Sequence, residues 1–128
     1  MRVEPYLMLS GRCEEALAFY NQAIGAPTTM VMRFDESPDK KYWMPLPPEW
    51  DKKIMHSSMR VGDTTVMLSD GMSTEPVSFA GVSLSITADD EAQAKKCLTH
   101  SLSAARCSCR SAKHSGRLAL ASPATSSA

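Results

Sequence analysis

Three clusters of side chains in this sequence have the residue types for chemistry. His56 lies in IMHSSMRV, Ser69 and Asp70 lie in VMLSDG, and Cys107 and Cys109 lie in RCSCRS with His114 beyond them. A strand histidine in a cavity can act as acid, base or ligand; hydrogen-bonded across a hairpin, it is half-buried structure. The Ser69-Asp70-Gly71 run reads as a strand end and turn. Its functional alternative is a ligand-binding carboxylate at a cavity mouth. A zinc site built on Cys107 and Cys109 would need a second Cys/His pair at suitable spacing, and His114 alone does not supply one. Cys13 stands near a helix start, where a thiolate gains from the dipole, but reads as a small packing residue. Met55, Met59, Met67 and Met72 fall in and beside alternating strands, which points to packing rather than a sulfur site.

The elements that must position these groups follow from periodicity. EPYLMLSG is a short apolar run bounded by Pro and Gly, and reads as a strand. In RCEEALAFYNQAIGA, Leu17, Tyr20 and Ile24 make one apolar stripe, with acids in the first turn. Gly25 suits the C-terminal cap and Pro27 blocks continuation, so a helix is expected over about residues 12–24. TTMVMRF has strand composition. Residues 35–51 are dense in Pro and charge and read as a long loop. Its aromatic residues, Tyr42, Trp43 and Trp50, either lid one end of the core or wall a ligand cavity or subunit contact.

IMHSSMRVGDTTVMLSDG predicts a β-hairpin turning at Gly62-Asp63. Alternation puts Ile54, His56, Ser58 and Arg60 on one face of the first strand, and Met55, Ser57, Met59 and Val61 on the other. PVSFAGVSLSIT reads as a further strand with Val82, Leu84 and Ile86 alternating. ADDEAQAKKCLTHSLS reads as a helix, with acids at its start and Lys95 and Lys96 later.

The chain has 128 residues, enough for one domain with a core of its own. Its 14 basic and 14 acidic residues balance, unlike the basic excess of a nucleic-acid binder. No apolar run approaches the roughly 18 residues of a membrane span, and the N-terminus turns polar too soon for a signal peptide. The irregular cysteine spacings do not make a disulfide framework. These features together predict a cytoplasmic protein without nucleic-acid or membrane partners.

The segments ALAFYNQAIGA, PPEWDKKIMHSSMRVGD and VMLSDGM together resemble the PhnB-like branch of the vicinal-oxygen-chelate superfamily, which includes glyoxalases, bleomycin-resistance proteins and dioxygenases. The resemblance covers about the first three quarters of the chain. It implies an α+β fold of two βαβββ modules, each curling a sheet around a small-molecule cavity, usually in homodimers. Here it implies a first module over 1–76 and the start of a second over 77–100, followed by an irregular Ser/Ala-rich tail over 101–128. Metal-using members carry ligands on equivalent strands, and the metal acts as a Lewis acid. Carried over, those positions fall near Pro5 or Tyr6 and at Met67, which are poor ligands for hard divalent ions. No metal or cofactor is therefore expected, and no catalytic residue is assigned. Beside a glyoxalase/dioxygenase-type enzyme, the alternatives are a non-catalytic dimer that binds a small molecule and a non-functional frameshifted product. Tyr6, Met8, His56, Met67, Ser69 and Asp70 are the expected ligand contacts. A methyltransferase activity finds no support, because no Gly-rich cofactor loop sits on a strand–helix turn.

The resemblance also implies three further strands after the second helix, where this chain has its Ser/Ala/Arg tail. With permitted codons, an alternative reading frame from Ala105 onward can encode EVQLPLGKTFWSPRFGIASDKFG, which resembles the missing PhnB-like end. A reading-frame slip near residues 95–97 is the expectation. The rival is a disordered tail, which the composition also allows.

Overall fold

A computed structural model describes residues 1–39, 46–82, 84–101 and 115–118. The chain divides into two compact units, Met1–Val77 and Ser78–Ala128. In chain order the first unit contains β1 (Tyr6–Met8), α1 (Cys13–Ile24), β2 (Thr28–Arg33), β3 (Ile54–Val61) and β4 (Thr64–Ser69). Short 3-10 turns at Phe34–Glu36 and Pro48–Lys52 stand at the two ends of the expected loop. Tyr42 and Trp43 of that loop lie outside the described residues.

The four strands form one sheet in the order β1-β4-β3-β2, with β1 parallel to β4 and the other pairs antiparallel. This is the βαβββ arrangement of the expected α+β fold. The β3–β4 hairpin turns on two residues between Val61 and Thr64. Gly62 has φ +57° and Asp63 does not share a positive φ, so the glycine takes the first central position, as a type II′ turn requires.

Helix α1 begins one residue later than expected and buries Cys13, Leu17, Tyr20 and Ala23 along one stripe. Gly25 ends it in the left-handed conformation at φ +65°, its N–H donating to the Asn21 carbonyl. The core combines that stripe with Leu7, Ile54, Met59, Val66 and Leu68 from the sheet and with Phe34 and Trp50. Ile54, expected on the His56 face, is turned inward by a register shift at Met55. Trp50, 6% exposed, thus serves as core, and its Nε1 donates to the Gly71 carbonyl at 2.9 Å.

The second unit contains β5 (Leu84–Thr87), α2 (Glu91–Ser101) and β6 (Ser115–Leu118), with β5 and β6 antiparallel. β5 is shorter than the alternation around it predicts, because only its four residues pair with a neighbour. Asp90 Oδ1 accepts from the Gln93 N–H at 2.7 Å and Gln93 Oε1 accepts from the Asp89 N–H at 2.8 Å, which holds the start of α2. The stretch expected to be irregular throughout contributes β6. A backbone ladder needs N–H and C=O groups, not large side chains, so composition gave no sign of it.

Candidate ligand-binding face

Cross-strand partners point to the same side of a sheet. Tyr6 pairs with Met67, Met67 with Ser58, and Ser58 with Met30, which makes one row across all four strands. Two residues along, Met8 pairs with Ser69 and His56 with Met32. These two rows occupy the face opposite the core. Tyr6, Met8 and Met30 are each exposed by 40% or more, and His56, Ser58 and Met67 are half-buried.

The other face is closed over β1, β4 and β3, and is open at β2, where Val31, opposite Ser57, is 42% exposed. Leu7, Leu68 and Ser57 form a cross-strand row beneath α1, each no more than 6% exposed. Cys13 Sγ lies 3.4 Å from Ser57 Oγ. Burial pushes the Cys13 thiol up to about 11, so at neutral pH it is protonated and inert. This matches its reading as a packing residue.

Met30 and Met32 reach the open face through a bulge. Thr28 pairs with Met59 but Met30 pairs with Ser58, so β2 advances two residues while β3 advances one. Thr29 occupies the extra position, within hydrogen-bond distance of the Ser58 carbonyl at 3.2 Å and its hydroxyl at 2.8 Å. Sequence reasoning did not single out Met30, Met32 or Ser58 as site residues. The two methionines, spaced i and i+2, do signal a shared face, but which face depends on the bulge.

The polar feature of the open face is a Tyr6–His56 pair. The Tyr6 hydroxyl is 2.9 Å from His56 Nδ1, and the rings meet edge to face with centroids 5.4 Å apart. The phenol reaches diagonally over β4 to do so. Ser69 belongs to this face by alternation, but its hydroxyl is committed to backbone. It donates to the Met55 carbonyl at 2.6 Å and accepts from the Gly71 N–H at 2.9 Å.

Of the six expected ligand contacts, the structure brings Tyr6, Met8, His56, Met67 and Ser69 together and sets Asp70 apart. Asp70 is 2% exposed. Its Oδ1 accepts from the Cys13 N–H and its Oδ2 from the Ile54 N–H, each at 2.8 Å. Its own N–H donates to the Ile54 carbonyl at 2.8 Å. The carboxylate binds the start of α1 to the start of β3 and faces no open space.

The donors on the open face do not fit a hard divalent cation. They are thioethers, a phenol, two hydroxyls and one imidazole whose Nδ1 already faces Tyr6, and the nearby carboxylate is taken by backbone. Among the described residues no group of three or more His, Cys, Asp or Glu could hold a metal. The Cys107, Cys109 and His114 side chains lie outside the described residues. No helix among the described residues is long and apolar enough to cross a membrane.

No family model matches the chain. It is similar to the protein YjdN of Escherichia coli, 28% identical over 101 residues that cover 75% of this chain and 69% of YjdN. Among solved structures it is similar to PA1353 of Pseudomonas aeruginosa, with a TM-score of 0.63 and 31% identity, over 78% of this chain and 71% of that one. A PhnB protein of Bacillus cereus, described as a candidate 3-demethylubiquinone-9 3-methyltransferase, shares the fold with a TM-score of 0.59 at 19% identity. That match covers 78% of this chain and 72% of the other.

Proposed function

Because this chain belongs to the PhnB/YjdN-like family, we propose that it is a vicinal-oxygen-chelate-type domain that binds a small organic molecule on the open face of its four-stranded sheet. One observation carries this reading: Tyr6, Met8, Met30 and Met67 line an uncovered face around a single Tyr–His pair. Ligand sites combine apolar lining with a few placed polar groups, and thioethers adapt to varied shapes. The methyltransferase description of the Bacillus cereus protein is not carried over, since no Gly-rich turn links a strand to a helix here. A homodimer and a reading-frame slip near residues 95–97 belong to the same reading. Sedimentation velocity tests the first and the coding DNA across codons 90–100 tests the second.

The binding face is tested by methyl-resolved NMR on methionine-labelled protein against a library of small aromatic and aliphatic molecules. Binders are expected to move the Met8, Met30 and Met67 methyl signals and leave buried Met59 in place. Binders that move only other signals, or a library without binders, would count against the face.

A further inference from the structure

The Tyr6–His56 pair has a polarity that says what the open face can recognise. We propose that Tyr6 is a positioning residue that holds His56 in one tautomer, so that Nε2 donates a hydrogen bond to a carbonyl or carboxylate oxygen of an otherwise apolar ligand. This rests on the open sheet face being the binding site.

The direction of the 2.9 Å contact follows from acidity. A phenol O–H is the better donor and an imidazole lone pair the better acceptor, so the hydroxyl gives its hydrogen to Nδ1. A neutral imidazole then carries its proton on Nε2. Among the described residues Nε2 has no hydrogen-bond partner, and no half-buried or buried residue hides an unsatisfied side-chain nitrogen or oxygen. Nε2 is therefore open to solvent.

The surroundings leave this donor without competition in its two rows. β1 contributes Tyr6 and Met8, β4 contributes Met67 and Ser69, and β2 contributes Met30 and Met32. None carries a charge. The Ser69 hydroxyl is spent on the Met55 carbonyl, and Ser58 and Thr29 pair their hydroxyls with each other. A ligand oxygen at Nε2 meets a fixed donor among apolar side chains, where a hydrogen bond gains strength. A cationic headgroup meets a donor and no good acceptor. In this tautomer Nε2 also lacks the lone pair a metal would need.

Two probes test this on the full chain: 2-naphthoate, and 2-naphthylmethylammonium, with the same ring system but a donor-only headgroup. Nitrogen-15 NMR of the histidine side chains, with His56 assigned by its loss in His56→Gln, reads the tautomer directly. The expected free protein has His56 protonated at Nε2 and bare at Nδ1, and Tyr6→Phe mixes the tautomers. Naphthoate should move both the methionine methyls and the His56 Nε2 signal. Tyr6→Phe should weaken its binding roughly three- to tenfold, the worth of one hydrogen bond, and the ammonium probe should bind the unaltered chain more weakly than naphthoate does. A proton on Nδ1 in the free protein would overturn the inference. So would a Tyr6→Phe variant with unaltered tautomer and naphthoate affinity. Naphthoate that moves the methionine methyls without touching His56 sinks this inference but spares the binding face. If neither probe moves those methyls, the face itself fails for aromatic ligands, and this inference with it.

Discussion

Asp70 satisfies two backbone N–H groups that the fold would otherwise bury without partners. Helix α1 has Arg12 at its N-cap and no side-chain cap of its own there. The carboxylate that takes up one of its free N–H groups comes from the end of β4. Asparagine has one acceptor oxygen and would turn an NH2 toward the other N–H. Asp70→Asn is expected to lose roughly 2–3 kcal/mol in urea melts, and Asp70→Ala at least as much, from unpaired buried groups. Cys13 and Tyr20 make a second prediction. Burial raises the Cys13 thiol from 9.0 to about 11 and the Tyr20 hydroxyl from 10.0 to about 12. The unfolded chain therefore releases these protons first as pH rises. Their contribution is intact below about pH 9 and is lost between pH 9 and 11 for Cys13 and between 10 and 12 for Tyr20. Cys13→Ala and Tyr20→Phe should each flatten the alkaline fall in stability, by on the order of 1 kcal/mol per pH unit in the matching window. Melts of both variants across that range are the check.

At the scale of elements, the bulge at Thr29 decides what β2 shows to each side. Removing Thr29, the extra residue, would leave Thr28 opposite Met59 and Met30 opposite Ser58 in a regular ladder, so Met30 and Met32 keep the open face and Val31 the α1 side. The expected result is a folded protein whose Met30 methyl still responds to open-face ligands; a lost Met30 response would show that β2 has slipped its register against β3. This is where sequence patterns ran out. The α1 stripe, the Gly25 cap and the Gly62-Asp63 hairpin were legible because each is written in local spacing. Alternation failed at Ile54, expected beside His56, because a second register shift at Met55 turns Ile54 into the core. It did put His56, Met67 and Ser69 on one face, and the family resemblance added Tyr6 and Met8. Asp70 was placed among them because it follows Ser69 in a polar turn; that it clamps Cys13 and Ile54 depends on contacts distant in sequence. The bulge and the β5–β6 ladder are pairing facts, and no residue type announces them.

Across the whole molecule, the two units differ in how their backbone is held. The first has a four-stranded sheet with one face buried, whereas the second has a two-stranded ladder whose Leu84 and Ile86 stay half-exposed. Isolated two-stranded pairings are marginal in water. Native-state hydrogen exchange should therefore show the β5 amides exchanging well before those of Met59, Val66 and Leu68; equal protection in both sets would contradict it. The parallel register of β1 with β4, Tyr6 against Met67, imposes an order of events. β1 emerges from the ribosome ahead of β2, β3 and β4, yet its partner in the sheet, β4, is the last of these to follow. Closing that long loop costs chain entropy before any contact rewards it. At about 5–20 residues per second of synthesis, β1 waits several seconds as an unpaired apolar segment. Three residues suffice for the strand, and Pro5 before it and Gly11 shortly after it keep the waiting segment short.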